Sequence, residues 1–423
     1  MAKTDKRKEI LVYAHWLEMQ EPLPVGSLFV EKIKGREIFS FEYSDDWLKS
    51  KYVQIIDPDL QLFRGIQYTK GNKSNFGSLL DSSPDRWGRI LMKRREAALA
   101  RKEKRSENTL LESDFLLGVY DEHRTGGLRF KLEPLGPFLN ADRKFAAPPW
   151  TSLRELEAVS MKIENEDLID DPEYLNWLNM LIAPGSSLGG ARPKASIIDE
   201  KADLWIAKFP SIQDGKDIGA WEMVAHELAV QCGLHVAEAR VEKFSGRYHT
   251  FLSKRFDRRK TTRIHYSSAM TMLGYNDGDD FSEGVSYLEI ADFLSANGAD
   301  VTADLEELWR RIVFSICISN TDDHLRNHGF LLTEKGWLLS PAFDINPVET
   351  GTGLKLNISE TDNSLDTGLA LEVTDYFRLK KTKAEKIIKE IREKVSMWES
   401  IAGKYNISRA ETDLMKSAFL RKF

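Results

Sequence analysis

The stretch ISNTDDHLRNHGFLL, residues 318–332, places a cluster of Asn, Asp, His and Arg between two apolar runs. A solvated loop has no need for so many ligand-type side chains, and a core strand would not tolerate their burial without partners. Asp322 and Asn327 are five positions apart, which is the Asp-to-Asn spacing of kinase catalytic loops. In those loops the aspartate orients the attacking hydroxyl and the asparagine binds magnesium. The spacing therefore predicts a phosphoryl-transfer site, with Asp322 as its catalytic residue and Asn327 as a metal ligand.

A further aspartate lies downstream, in the segment PAFDI at residues 341–345. It follows FLLTEKGWLLS, which has the pattern of a β-hairpin, so Asp344 comes at the end of a strand. Magnesium binds hard oxygen donors from few side chains together with substrate phosphates, and Asn327 with Asp344 would supply them. We therefore expect Asp344 to be the second magnesium ligand. An Asx-rich turn, with Asp344 as a helix cap, is the structural alternative.

A glycine-rich turn, SSLGGARPK at residues 186–194, separates a predicted helix from a predicted strand. Its paired glycines would let backbone N–H groups approach a phosphate without interference from a Cβ atom, and Lys194 would add positive charge. The segment is not a Walker A motif, because no Lys-Ser/Thr pair follows a four-residue spacer after a glycine. Taken by itself, the turn is explained equally well as a glycine-rich hairpin or linker.

Lys208 ends the apolar strand WIAKF and resembles the strand lysine that pairs with nucleotide phosphates in kinases. Glu222, on the next predicted helix, is placed as its partner. An edge-strand lysine and a surface glutamate are the alternative. A glycine-rich turn, a strand lysine, the Asp-to-Asn spacing and a late aspartate occur in this order, which favours a kinase over four separate structural explanations.

Two histidines of the opening stretch, His324 and His328, have the i, i+4 spacing of metal ligands. The stretch offers no cysteine, and its carboxylates already have roles in the kinase interpretation. We therefore expect His324 to be hydrogen-bonded within the loop and His328 to be structural.

The composition is typical of a soluble globular protein, since 42% of the 423 residues are hydrophobic and 30% are charged. No apolar stretch approaches the roughly 20 residues that span a bilayer, and the N-terminus lacks an apolar signal-peptide core. These features predict a cytoplasmic protein with no membrane partner. Cys232 and Cys317 lie in apolar helical patterns and are predicted to be buried free thiols. The net charge of −6 argues against coating by nucleic acid, and basic runs at 93–105 and 378–392 are interpreted as solvated helix faces.

The chain is long enough for two or three domains. Short alternating runs before residue 70 predict a small sheet, and a Pro- and Ala-rich loop at 136–150 predicts a boundary. Beyond Arg263 the sequence is mainly helical, including a predicted helix near residues 382–399. We predict an α+β protein in three parts, an N-terminal small-sheet subdomain, a mixed kinase N-lobe with the phosphate loop and a mostly helical kinase C-lobe, at residues 1–148, 149–262 and 263–423.

The motifs SSLGGARPK, WIAKFP, SKRFDR, SNTDDHLRNHGF and SPAFDINP together resemble the HipA family of toxin serine/threonine kinases from bacterial type II toxin–antitoxin modules. FSFEYSDDWL, SSPDRWGR and TGGLRF resemble the N-terminal subdomain of the same family, so the resemblance covers nearly the whole chain. It implies that Asp322 is catalytic and that Asn327 and Asp344 bind Mg²⁺. Asp323 adjoins Asp322, but only Asp322 has the five-residue spacing to Asn327, so substitution of Asp323 is expected to be milder.

The resemblance also implies an ATP site. Lys208 would contact the phosphates, residues 189–194 would form the phosphate loop, and residues 254–256 would form the hinge that meets adenine. The implied ATP-binding set is Gly189, Gly190, Ala191, Arg192, Pro193, Lys194, Lys208, Lys254, Arg255, Phe256, His324, Arg326, Asn327, Phe343 and Asp344.

Regulation and partners are implied in the same way. Ser187, next to Ser186, matches the serine that these kinases autophosphorylate, an event that expels the loop and switches the kinase off. Family members are neutralised by a small helix-turn-helix antitoxin of the HipB type, and the complex represses its operon by binding operator DNA. The basic face of the predicted C-terminal helix is a candidate DNA-facing surface. The expected substrate is a protein of translation such as an aminoacyl-tRNA synthetase.

Two alternative functions remain open from the sequence. A small-molecule kinase of the aminoglycoside-phosphotransferase type shares the Asp-to-Asn spacing, but it does not predict the N-terminal subdomain or the SSLGGARPK loop. A catalytically silent co-repressor would bind DNA without phosphoryl transfer. Retention of Lys208, Asp322, Asn327 and Asp344 together argues against that alternative.

Overall fold

The computed structural model describes residues 7–16, 19–182, 190, 192–244 and 246–419. The chain divides into two compact units. The first unit runs to Ala207 and also contains Asp257–Ser267, while the second contains Lys208–Phe256 and the chain from Ser268 onward. The division into three parts at residues 148 and 262 stays a prediction.

Strands and helices are interspersed along the chain, which opens with three strands and ends with four α-helices among the described residues. The β-strands are β1 Lys8–Ala14, β2 Leu23–Ile33, β3 Arg36–Tyr43, β4 Gln67–Tyr68, β5 Leu128–Lys131, β6 Lys194–Ile198, β7 Leu204–Lys208, β8 Ala239–Glu242, β9 Thr250–Lys254, β10 Arg258–Arg259, β11 Thr262–Arg263, β12 Tyr266–Ser268, β13 Gly329–Thr333 and β14 Gly336–Leu339. The α-helices are α1 Asp45–Lys49, α2 Gly77–Asp81, α3 Arg86–Glu103, α4 Glu112–Gly118, α5 Leu153–Glu164, α6 Tyr174–Ile182, α7 Ile218–Gln231, α8 Ala269–Leu273, α9 Tyr287–Asn297, α10 Val301–Ile318, α11 Thr367–Glu372, α12 Lys381–Val395, α13 Trp398–Lys404 and α14 Arg409–Phe419.

An antiparallel sheet with the strand order β4-β3-β2-β1-β5 organises the start of the first unit. In β1 the alternate residues Ile10, Val12 and Ala14 are fully buried, which is the period-2 pattern of a strand with one face on a core. Ile10 pairs with Leu28, which in turn pairs with Phe41 across β2 and β3. The small sheet predicted from the alternating runs is therefore confirmed.

Helices α3 and α5 both pack against α6 in this unit, and the basic run at 93–105 covers the end of α3 and the two residues after it. Arg95 donates to Asn179 Oδ1 at 2.8 Å, and Arg94 donates to the backbone carbonyl of Ile163. These two arginines tie α3 to its neighbours, so their interpretation as part of a solvated face is wrong. Lys93 and residues 101–105 are exposed, as a solvated face requires, and Arg105 pairs there with Glu96 at 2.6 Å.

The segment Asp257–Ser267 returns to the first unit from later in the chain. Asp257 is fully buried, and one of its carboxylate oxygens accepts from the backbone N–H of Gly126 at 2.9 Å. Arg258 donates to the carbonyl of Gly126 at 3.2 Å. Arg263 donates to the carbonyl of Asp121 at 2.7 Å. A short hairpin thus supplies buried polar partners to residues 121–126.

Helix α10 is the centre of the second unit, because nearly every side chain from Leu308 to Ile318 is buried. It packs against α9 and α12. The hairpin β13–β14 pairs in antiparallel register, with Phe330 opposite Leu339, and β8 pairs with β9 in the same way. The predicted hairpin and the mainly helical character beyond Arg263 are confirmed.

The C-terminal region differs from its prediction as a single helix near 382–399. Helix α12 ends at Val395, and α13 begins at Trp398. The predicted apolar face is confirmed on α12, whose buried residues include Ile387, Ile388 and Ile391. The lysines of α12 are exposed, and two of them form i,i+4 pairs at 3.7 and 3.9 Å with glutamates of the same helix. The exposed face of α12 therefore carries both positive and negative side chains.

The two cysteines are buried free thiols, as predicted. Burial raises the pKa of both Cys232 and Cys317 to about 12. Across the described ranges, no helix combines the length and apolar character needed to cross a bilayer.

Candidate active site

The opening stretch forms a loop between α10 and β13 in the second unit. Helix α10 ends at Ser319, which takes the left-handed conformation with φ +52° and turns the chain away from the helix. Asp322 is exposed at the tip of this loop. The backbone carbonyl of Asp322 accepts from the His324 N–H at 3.0 Å and from Nδ2 of Asn327 at 3.1 Å. The catalytic and metal-binding residues predicted from their spacing are thus joined by a direct hydrogen bond.

Asn327 is 5% exposed, and its Oδ1 atom is buried without a hydrogen-bond donor among the described residues. A buried amide oxygen left in this way costs free energy unless a ligand takes it up. Because Nδ2 is held by the Asp322 carbonyl, the side chain presents an oxygen of the kind that magnesium prefers. Asn327 therefore fits the metal-binding role that its spacing predicts.

Asp344 and Lys208 form the second part of the site. Lys208 Nζ lies 2.6 Å from Oδ1 of Asp344 and 2.6 Å from Oε1 of Glu222, and Glu222 is buried on α7. Burial alone would lower the pKa of Lys208, but Asp344 and then Glu222 raise it well above its ordinary value. Lys208 is therefore a fixed positive charge between two carboxylates. The edge-strand alternative does not account for this arrangement.

The backbone at Asp344 is unusual. It has φ +56°, a conformation that costs free energy for a residue with a Cβ atom. Nδ2 of Asn346 donates to Asp344 Oδ1 at 3.1 Å and helps to hold the carboxylate. Asp344 offers carboxylate oxygens, and Asn327 offers an amide Oδ1 that has no donor among the described residues; both are oxygen types that magnesium prefers.

Two aromatic residues of the implied ATP set contact each other. The rings of Phe256, just beyond β9, and Phe343 lie 5.5 Å apart at 40°. Beside them the backbone N–H of Lys254 donates to the carbonyl of Glu238 at 2.8 Å, and Arg255 is 2% exposed. Phe256, the last of the predicted hinge residues, thus contacts the segment that carries Asp344.

The adjacent aspartates have different environments. Asp323 is 4% exposed; it accepts from the Tyr287 hydroxyl at 2.7 Å, and its Oδ1 lies 2.9 Å from Nε2 of His328. Burial alone would raise the pKa of Asp323, but His328 and Tyr287 outweigh it and lower the pKa. The buried charge of Asp323 is already satisfied, whereas Asp322 is open to a substrate. This supports Asp322 as the catalytic aspartate, and the prediction that His328 is structural fits its position.

The glycine-rich segment is described only in part, in the first unit. Ser186, Ser187, Gly189 and Ala191 lie outside the described residues. Gly190 has φ +80°, and its carbonyl accepts from Lys194 Nζ at 3.3 Å.

Lys194 has a partner that the sequence did not suggest. Its Nζ lies 2.9 Å from Oδ2 of Asp85, and both side chains are buried. Asp85 is the N-cap of α3. The charge of Lys194, expected on phosphate, is therefore balanced by a residue of the N-terminal motif SSPDRWGR.

Residues 186–398 match the family model described as HipA-like C-terminal domain. This match covers half of the chain. The chain belongs to the HipA family.

Two curated relatives match part of this HipA-family chain. A putative kinase from Haemophilus influenzae is 28% identical over 179 residues, which are 38% of this chain and 52% of the relative. The serine/threonine-protein kinase toxin HipA from Shewanella oneidensis is 26% identical over 232 residues, which are 49% of this chain and 52% of the relative. The chain thus spans about half the length of the curated relatives it matches.

A match to a solved structure covers more of the chain than the matches to these curated relatives do. A solved complex of HipA, HipB and operator DNA from Shewanella oneidensis gives a TM-score of 0.65 at 18% identity, over 97% of this chain and 94% of that chain. At this identity the match establishes the fold, which is the α+β, kinase-like fold of HipA. The predicted fold class is confirmed.

Three polar residues of the site were given no role in the sequence analysis. Asn320 and Asn346 lie within the motifs SNTDDHLRNHGF and SPAFDINP, whereas Tyr287 lies outside every quoted motif. The contacts of Asn320 with Asn346 and of Tyr287 with Asp323 join residues 26 and 36 positions apart, which a single sequence gives no reason to connect. His324 is half-buried near Asp323, and Arg326 lies 3.3 Å from Asp277.

Proposed function

We propose that this protein is an ATP-dependent serine/threonine protein kinase and the toxin of a type II toxin–antitoxin module. The observation that carries the proposal is Lys208 held 2.6 Å from both Glu222 and Asp344. A strand lysine paired with a helix glutamate, beside the aspartate that binds magnesium, is the arrangement on which protein kinases depend. The named kinases among its relatives support the same activity.

The roles of the side chains follow from their geometry. Lys208 supplies positive charge to the ATP phosphates, and Glu222 holds it in place. Asp322, exposed at the tip of its loop, accepts the hydrogen bond of the substrate hydroxyl and orients it toward the γ-phosphorus. Asn327 and Asp344 would hold magnesium, which when bound neutralises charge on the phosphates. Catalysis then rests on positioning and charge neutralisation.

The partners belong to the same proposal. The Shewanella oneidensis complex contains HipA, HipB and operator DNA, which supports a HipB-like antitoxin and operator binding through that antitoxin. We expect a cytoplasmic protein substrate, such as an aminoacyl-tRNA synthetase. Autophosphorylation at Ser187 would add about −1.5 to −2 charges beside the ATP phosphates and lower ATP affinity.

Incubation with γ-labelled ATP, magnesium and bacterial lysate tests the activity. We expect a labelled protein band that is lost in Asp322→Ala, with a fall in rate of about 10²- to 10⁴-fold for a missing acid–base group. Because Asp322 is exposed, its variant should unfold at the wild-type temperature. A labelled small molecule would favour an aminoglycoside-type kinase instead, and no transfer at all would favour a silent co-repressor.

A further inference from the structure

A buried polar cluster lies beneath the catalytic loop, inside the second unit. Its centre is Asp323, whose Oδ2 accepts from the Tyr287 hydroxyl at 2.7 Å and from the Ser315 hydroxyl at 3.3 Å. On the other side, Oδ1 lies 2.9 Å from Nε2 of His328. The His328 ring also meets the Tyr287 ring edge-on, with centroids 5.7 Å apart at 90°. Tyr287 and Ser315 belong to different helices, so the cluster joins the loop to α9 and α10.

The two residues of the central pair, Asp323 and His328, each adjoin a residue of the candidate site. Asp323 directly follows the catalytic Asp322, and His328 directly follows the metal-binding Asn327. The contact between Asp323 and His328 therefore closes the loop at both of its functional residues. A loop closed in this way has few conformations available. The contact between Asp323 and His328 therefore restricts the distance between Asp322 and Asn327.

Hydrogen bonds extend from the cluster toward Asp344. The Ser315 hydroxyl accepts from Nδ2 of Asn320 at 3.3 Å. Oδ1 of Asn320 accepts from the backbone N–H of Asn346 at 3.1 Å. Nδ2 of Asn346 donates to Asp344 at 3.1 Å. A continuous chain of polar contacts thus runs from Asp323 to the second metal ligand.

We propose that Asp323 and His328 are positioning residues for phosphoryl transfer, which set Asp322 and Asn327 in register with Asp344 and do not themselves touch substrate. This inference rests on the proposed kinase function. It departs from the sequence expectation that substitution of Asp323 is mild. A displacement of about 1 Å at reacting groups lowers rates about 10²-fold, so small shifts of this loop are sufficient.

The decisive variant is Asp323→Asn, which keeps the shape of the side chain and removes its charge. We expect kcat to fall about 10²-fold, the magnesium concentration for half-maximal rate to rise, and the KM for ATP to stay within about threefold of wild type. The matched control is Asp304→Asn on α10, because Asp304 is another buried carboxylate and accepts only from the Leu339 N–H at 3.0 Å among the contacts described for it. This control should keep wild-type kcat and magnesium dependence.

A second variant serves if Asp323→Asn does not fold. Tyr287→Phe removes one hydroxyl from the cluster and leaves the apolar ring in place. We expect a fall in kcat of about tenfold, since a hydrogen bond to a charged group is lost, again with little change in the KM for ATP. An equal loss of kcat in Asp304→Asn would overturn the proposal, as would wild-type kcat and magnesium dependence in either Asp323→Asn or Tyr287→Phe.

The two proposals fail differently. If the wild-type protein transfers no phosphate, the proposed kinase function is wrong. Hydrogen exchange of the backbone amides then tests the positioning role without an activity measurement. Amides of residues 320–328 should exchange faster in Asp323→Asn than in wild type, and at wild-type rates in Asp304→Asn. Unchanged exchange in both variants would refute the positioning role even in a protein without kinase activity.

Discussion

At the scale of single residues, the charged side chains of the candidate site differ in their burial and in their partners within the protein. Asp323 is enclosed by three partners, whereas the neighbouring Asp322 is exposed. Lys208 is held between two carboxylates. An alanine in place of Asp323 would leave His328 and Tyr287 buried without their acceptor, so its effect is no longer expected to be mild.

Lys208→Ala should weaken ATP binding about tenfold to hundredfold and also lower turnover, because its charge acts on phosphates in both the ground state and the transition state. Isothermal calorimetry with ATP and magnesium measures the first effect. The matched control is Lys216→Ala, since Lys216 pairs with Glu349 in the same unit and should leave ATP affinity unchanged. If Lys208→Ala kept the wild-type ATP affinity, Lys208 would have only a structural role.

Asp57 provides a pH-dependent test in the first unit. It is fully buried and accepts from the N–H groups of Asp59 and Ser78 at 2.9 Å each, and burial raises its pKa to about 6. Because the folded pKa lies above the unfolded value of about 3.9, the stability from protonated Asp57 is complete below pH 4. It is lost as the pH rises through 6, by on the order of 2–3 kcal/mol.

Urea unfolding between pH 4 and pH 7 measures this loss. Relative to Asp57→Asn, the wild-type free energy of unfolding should fall across that range. The exposed Asp46 offers the control, because Asp46→Asn should keep the wild-type pH dependence. Parallel pH profiles for wild type and Asp57→Asn would contradict the assignment.

At the scale of elements, α14 connects the C-terminal region to the loop that carries Asp322. The Phe419 ring stacks on Trp398 with centroids 4.6 Å apart at 7°. The Ser319 hydroxyl, at the start of that loop, donates to the Ala418 carbonyl at 2.9 Å. The loop is therefore supported by a helix that lies about 100 residues away in sequence.

Phe419→Ala should lower the free energy of unfolding by about 3–5 kcal/mol, the usual cost of removing a buried aromatic ring. Kinase activity should fall with it, because the contact at Ser319 is weakened. Leu414, on the same helix, is 51% exposed, so Leu414→Ala should leave both stability and activity near wild type. Thermal unfolding and phosphate transfer decide between these outcomes; equal effects of the two substitutions would mean that α14 is not docked through Phe419.

The elements also indicate how far the sequence was informative. Period-2 alternation in β1 and the apolar stripe of α12 report burial directly, so those elements were predictable. Helix α14 was missed because its sequence is mostly polar and only a few side chains, such as Met415 and Phe419, are buried. The spacing of Asp322 and Asn327 is a local signal, and it predicted the candidate site. The pair of Lys194 with Asp85 joins residues 109 positions apart, and a single sequence contains no signal for such a contact.

At the scale of the whole molecule, the family match and the compact units divide the chain differently. The HipA-like C-terminal model begins at residue 186, within the first unit. That unit also includes Asp257–Ser267 from beyond the insertion at 208–256. The start of the family match at residue 186 therefore does not coincide with a boundary between the compact units.

The returning segment Asp257–Ser267 has a consequence for synthesis on the ribosome. Among the contacts described, the arginine side chains that donate to the carbonyls of Asp121 and Gly126 come from this segment. Sixty residues separate Ala207 from Ser267, and translation at about 5–20 residues per second needs roughly 3–12 s to cover them. For that interval the nascent chain carries a first unit without its closing hairpin. Slower codons within 208–256 would lengthen the period in which the emerging chain is exposed to chaperones and proteases.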